Sequence, residues 1–125
     1  MPDETKPHLP ACPVETTLTL ISNRWRVLIL RDLMDGPRRF GELKRSIGAI
    51  TQKVLTANLR AMEECGLVTR TVFPEVPPHV EYELTELGHS LKPVLDSMQE
   101  WGAGYKRAIG SFCRACLARV LLLRP

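Results

Sequence analysis

Four side chains, Gln52, Lys53, Thr56 and Ala57, have the types that read base edges in a DNA major groove. Gln pairs bidentately with adenine, Lys reaches guanine or a phosphate, and Thr and Ala touch a thymine methyl. At 100° per residue they lie, with Arg60, away from the apolar stripe Leu55, Leu59 and Met62, with Gln52 on its flank. They have no core to face. Thr51, directly before them, has the side chain of a helix N-cap and a hydroxyl within reach of a phosphate. Arg38 and Arg39 upstream and Arg70 downstream add guanidinium groups suited to phosphate contacts. Arg70 is equally placed to pair with Glu83. A polar face of this kind also fits an ordinary solvated helix surface, so the elements around it must decide.

The other reactive groups are thiols: Cys12, Cys65, Cys113 and Cys116. Cys12 stands immediately before a helix start, where the positive end of the helix dipole favours a thiolate; Glu15 in the first turn opposes it. Cys12 is therefore the redox candidate. Cys113-x-x-Cys116 is half a zinc site or a redox pair. A closed zinc site needs four ligands, and Cys12, Cys65, His8, His79 and His89 offer no second pair at ligand spacing. No metal and no cofactor is expected. The three histidines are scattered, and neither a glycine-rich phosphate loop nor a nucleophile motif occurs, so enzyme chemistry has no support. Trp25, Trp101 and Phe40 read as core or dimer residues rather than a ligand box, and a small-molecule effector stays unidentified.

These groups sit in a chain of 125 residues, enough for one domain that buries roughly two-thirds of its unfolded surface. The longest apolar run, Val120 to Leu123, is far too short to span a membrane, and MPDETKPHLP has no secretory pattern. A cytoplasmic location with reduced thiols is expected. The net charge of +3 is uninformative, but its distribution is not. Residues 38–60 hold six basic side chains against Glu42 alone, whereas residues 61–105 hold two basic and eight acidic ones. A basic block inside a neutral-to-acidic chain is the footprint of a surface that meets phosphates.

The elements follow from periodicity. Residues 1–11 read as a proline-rich flexible arm. Leu18, Ile21, Trp25, Leu28, Ile29 and Leu33 recur at helical spacing, with a break at Ser22-Asn23, predicting helices over about 14–21 and 24–34. Asp35-Gly36-Pro37 stops the second. Phe40, Leu43 and Ile47 mark a short helix, Gly48-Ala49-Ile50 a tight connection, and Thr51 opens the next helix, which ends at Cys65-Gly66. The period then changes to two: Val68, Arg70 and Val72, then Val80, Tyr82 and Leu84, predict an antiparallel hairpin with a stiff tip at Pro74–Pro78. Thr85 opens a long last helix with the stripe Leu87, Leu91, Leu95, Met98, Trp101 and Tyr105, kinked at Pro93. Residues 111–125 form a basic tail. The fold class is mainly α with a small β-hairpin.

A short helix, a tight turn and a second helix with exposed polar side chains is the helix-turn-helix layout, and a hairpin directly after it is a wing. The chain also resembles the HxlR-type winged-helix transcription regulators of bacteria and archaea, from Cys12 to Trp101. The matching segments are Cys12-Pro13-Val14-Glu15, Arg24-Trp25-Arg26-Val27-Leu28-Ile29-Leu30-Arg31-Asp32-Leu33, Gly36-Pro37-Arg38-Arg39-Phe40 with Glu42-Leu43, Leu55-Thr56 with Leu59-Arg60, Gly66-Leu67-Val68, and Val76-Pro77-Pro78-His79-Val80-Glu81-Tyr82 running into Leu84-Thr85. The domain is read as 12–110, a winged helix-turn-helix with an added N-terminal helix and a long C-terminal dimerisation helix.

What the resemblance implies is a homodimer that binds double-stranded DNA sequence-specifically, paired through its first and last helices. Leu18, Leu91, Leu95, Met98, Trp101 and Tyr105 are the interface residues this assigns. Several relatives use the cysteine matching Cys12 to sense oxidants or electrophiles. Two departures stand out. His79 occupies a wing position that usually carries Lys or Arg, so its phosphate contact strengthens on protonation. The tail with Cys113 and Cys116 has no counterpart. The expected function is a transcriptional regulator acting as a homodimer on an inverted-repeat operator, responsive to oxidants through Cys12. The alternative is a protein-interaction or metal-responsive module that uses the winged helix as scaffold.

Overall fold

The computed structural model describes residues 9–21 and 23–110. The tail at 111–125, with Cys113 and Cys116, and most of the expected arm lie outside the described residues. The chain divides into two compact units, residues 1–90 and 91–125.

In the first unit, α1 (Pro13–Leu20) begins with Cys12 at the N-cap and Pro13 just inside, where the missing N–H costs nothing. Asn23 caps α2 (Arg24–Leu33), its side chain accepting from Arg26 N at 3.0 Å. Next come β1 (Arg38–Arg39), α3 (Phe40–Ile47), α4 (Gln52–Glu64), β2 (Val68–Phe73), β3 (His79–Leu84) and α5 (Glu86–His89). α2 packs against α3, α4 and β3, and α4 against β2. Ile29, Leu30, Leu33, Leu43, Leu55, Leu59, Met62, Leu67 and Val68 are sealed between them. Each such side chain contributes roughly 1.5–3 kcal/mol of burial free energy. Gly48 and Gly66 hold φ of +81° and +79°, which lets the chain turn out of α3 and out of the α4 C-terminus without the strain a Cβ would cause.

One buried polar side chain, Asn58, stands in this core among the described residues. Its Nδ2 donates to Val54 O at 2.8 Å, and its Oδ1 accepts from Asn23 Nδ2 at 3.1 Å and Arg26 Nε at 3.4 Å. Arg26 Nη1 donates in turn to Thr19 O and Leu20 O. The end of α1, the start of α2 and the middle of α4 are thus joined by one polar network.

Two expectations are corrected. The sheet has three strands, ordered β1-β3-β2, not two. Arg38 and Arg39 pair antiparallel with Tyr82 and Glu81, filling the free edge of β3; two residues are too few to show an alternating pattern in sequence. The long last helix is also interrupted at Ser90 and Leu91, just ahead of Pro93. Thr85 caps α5, accepting from Gly88 N and donating to Gly66 O, and α5 ends at His89. The second unit then holds α6 (Lys92–Gly110). Pro93 therefore falls in the first turn of a new helix, where no intrahelical N–H is required. Within α6, Lys92 bonds Asp96 at 2.7 Å, which holds its ammonium above the usual lysine range.

Candidate nucleic-acid interface

α3, the turn at Gly48–Ile50 and α4 form the helix-turn-helix. Phe40, Leu43 and Ile47 turn α3 inward, and Leu55, Leu59 and Met62 do the same for α4, which leaves the opposite face of α4 in solvent. Thr51 is the N-cap as expected: its Oγ1 accepts from Val54 N at 3.2 Å. Gln52, Lys53, Thr56, Ala57 and Arg60 are all exposed and together line one open depression on α4. None of the described residues bonds or ion-pairs with the side chains of Gln52, Lys53 or Arg60.

A second cavity adjoins the first. Thr56 and Arg60 also line it, together with Glu63, Arg70 and Tyr82, so the recognition helix and the wing meet there. Arg70 does not pair with Glu83; its register partner across the hairpin is Tyr82. On the other side of Tyr82 stands Arg38. The sheet therefore carries the row Arg38–Tyr82–Arg70 on one face, since directly opposed residues project the same way. Sequence reading missed this row because Arg38 joins it only through the short strand β1. Arg39 is exposed at the start of α3, its N–H bonded to Glu42 Oε1 at 3.2 Å.

At the wing tip, His79 is largely covered. Its ring stacks on Phe73 with centroids 4.7 Å apart, Nδ1 lies 3.3 Å from Glu75 Oε2, and Nε2 lies 3.6 Å from Glu81 Oε1. A phosphate arriving there must displace one of these carboxylates.

Cys12 is an exposed free thiol whose side chain makes no capping bond, and Cys65 is free and half-buried. Among the described residues, no group of three or more His, Cys, Asp and Glu side chains is placed to hold a metal ion. No described helix is long and apolar enough to cross a membrane. Of the apolar residues assigned to pairing, Leu91 is buried and Leu95 half-buried, while Leu18, Met98, Trp101 and Tyr105 are exposed, Trp101 to 71%. Trp101 and Tyr105 stack on one face of α6, centroids 5.4 Å apart.

A helix-turn-helix followed by a wing, with an unpartnered polar and basic face on the second helix, defines a winged helix-turn-helix DNA-binding protein. The model for HxlR-like helix-turn-helix proteins matches residues 20–109, and the chain belongs to that family. It is 44% identical over 107 residues to YdeP of Bacillus subtilis strain 168, an uncharacterized HTH-type transcriptional regulator; the match covers 86% of this chain and 84% of YdeP. Among solved structures, it is similar to the redox regulator HypR in its reduced form, with 42% identity and a TM-score of 0.75 over 81% of this chain and all of that one. It is also similar to the reduced form of the transcriptional regulator YodB from B. subtilis, with 43% identity and a TM-score of 0.67 over 74% of this chain and 91% of YodB. HypR is also known in an oxidized form and YodB in a diamide-treated one. The proteins of this family are transcriptional regulators, not enzymes, and this chain is one of them.

Proposed function

We propose that the chain binds an inverted-repeat operator as a homodimer and releases or reshapes that contact when Cys12 is oxidised. The observation that carries the DNA reading is the continuous unpartnered face of Gln52, Lys53, Thr56, Ala57 and Arg60 on α4. In this reading Gln52, Lys53, Thr56 and Ala57 meet base edges in the major groove. Thr51, Arg38, Arg39, Arg60 and Arg70 meet the flanking phosphates, and His79 reaches the backbone from the wing once it is released from its carboxylates. Pairing rests on the exposed Leu18 of α1 and Met98, Trp101 and Tyr105 of α6, with Leu95 half-buried behind them, while Leu91, buried within the chain, supports that face from below. An exposed stacked Trp–Tyr pair on a single helix is surface that a second subunit would cover.

The redox part is supported by the exposure of the free Cys12 thiol at the start of α1 and by the oxidised and diamide-treated states of the related HypR and YodB. The test is a gel shift with the promoter region upstream of the chain's own gene, run with and without diamide. Specific retention that diamide weakens in the parent protein supports the reading, and absence of retention at low salt contradicts it.

A further inference from the structure

We propose that Arg60, Arg70 and Tyr82 form a single seat for one phosphodiester of the DNA backbone, at the junction of α4 and the wing. This rests on the DNA-binding reading for the identity of the polymer, but the chemistry of the seat stands apart from it. The cavity of about 330 Å³ is lined by Thr56, Arg60, Glu63, Arg70 and Tyr82, which three different elements bring together. Its walls carry two guanidinium groups, two hydroxyls and one carboxylate, so an apolar ligand has nothing to pack on. Among the described residues, neither arginine bonds or ion-pairs with any other group, and Glu63, although it lines the same space, forms no salt bridge with either. Tyr82 is a buried residue whose hydroxyl bonds to none of the described residues and is not sealed from solvent.

Two like charges facing one cavity repel each other, and an anion between them relieves that repulsion. Guanidinium forks match the geometry of phosphate oxygens, and the Tyr82 and Thr56 hydroxyls add donors. Because Thr56 and Arg60 are shared with the depression that Gln52 and Lys53 line, a phosphate seated here fixes the recognition helix against the backbone beside the bases it reads.

The test uses Arg60→Gln, Arg70→Gln and the double variant in the full chain, titrated against the promoter DNA at several salt concentrations. Each single substitution should weaken binding about tenfold and leave the log–log salt slope almost unchanged, because the remaining arginine still neutralises the shared phosphate. The double variant should flatten the slope by about 1.8, one phosphate in each of two subunits. Slope losses of about 1.8 for each single substitution would mean two separate phosphates and would overturn the seat, as would three variants that bind like the parent. Tyr82→Phe should weaken binding several-fold with an unchanged urea midpoint; parent-like affinity would overturn the three-residue seat.

A second arm works without DNA. In a ¹⁵N NMR titration of the DNA-free protein with dimethyl phosphate, at ionic strength held by chloride, the side-chain N–H signals of Arg60 and Arg70 should shift with one common midpoint. Arg70→Gln should abolish the Arg60 shift. Independent midpoints or absent shifts would overturn the seat. If the parent protein fails to bind DNA while this arm succeeds, the DNA reading falls and the diester seat stands.

Discussion

Replacing Asn58 by Leu should cost the fold about 2–3 kcal/mol, for reasons unrelated to side-chain size. Asn58 is 8% exposed; its Nδ2 donates to Val54 O at 2.8 Å, and its Oδ1 is the shared acceptor for Asn23 Nδ2 at 3.1 Å and Arg26 Nε at 3.4 Å, so leucine removes three bonds. A hydrogen bond between neutral groups contributes about 1 kcal/mol net, and one to a charged group about 1.5–3 kcal/mol; the long Arg26 bond belongs at the lower end. Arg26 keeps its bonds to Thr19 O and Leu20 O, so its guanidinium is not stranded, and the leucine returns roughly 1 kcal/mol of apolar burial. Against a total of about 5–15 kcal/mol this is a large share. Urea unfolding measures it as a lower midpoint at unchanged slope. The network is tested more sharply by Arg26→Met, which should cost about 1–2 kcal/mol less in the Asn58→Leu background than in the parent. An Asn58→Leu protein within about 0.5 kcal/mol of the parent, a difference typical of innocuous surface changes, would refute the reasoning.

Gly88→Ala should destabilise by about 1–2 kcal/mol although helix propensity alone favours Ala by about 1 kcal/mol, because a Cβ there would overlap the Leu67 carbonyl oxygen and crowd Leu84; a raised thermal midpoint would contradict it. Trp101→Ala should weaken the homodimer by on the order of 3 kcal/mol if the indole is buried on pairing, and light scattering that shows a monomeric parent at micromolar concentration would remove the dimer. Diamide should weaken operator binding of the parent and leave Cys12→Ser unaffected; equal loss in both would shift suspicion to Cys113 and Cys116.

The helices and the reading face were legible because both are written in local periodicity. Leu55, Leu59 and Met62 define the inner stripe of α4, and everything polar opposite them follows by geometry; Thr51 announces the cap. What escaped depends on contacts distant in sequence. β1 is two residues long and pairs with the open edge of β3, so the place of Arg38 beside Tyr82 could not be read from the chain. The interruption between α5 and α6 leaves no mark in the periodicity, because the stripe from Leu87 to Tyr105 runs through it without losing helical spacing. The role of Asn58 is not written in its own helix, since its partners Asn23 and Arg26 lie more than thirty positions away. His79 was legible as a wing residue, but the flanking Glu75 and Glu81 became its partners only once the hairpin closed.

In the proposed complex α4 reads an inverted repeat while arginines hold the flanking phosphates. Fluorescence anisotropy of the promoter fragment across a salt series tests it most directly. If Arg38, Arg39 and the Arg60–Arg70 seat each neutralise one phosphate in each of two subunits, log affinity should fall with log salt at a slope near −5, at about −0.9 per contact, and near −7 if Lys53 holds a phosphate as well. Lys53→Ala should flatten that slope by nearly 2, or, if Lys53 reads guanine, cost about 1–3 kcal/mol of discrimination at one base pair of each half-site. Gln52→Ala should relax one position with little change in slope. Scrambling one half-site, placed about one helical turn from the other, should abolish specific binding. Salt-independent binding, or equal affinity for the intact and scrambled repeats, would contradict the account.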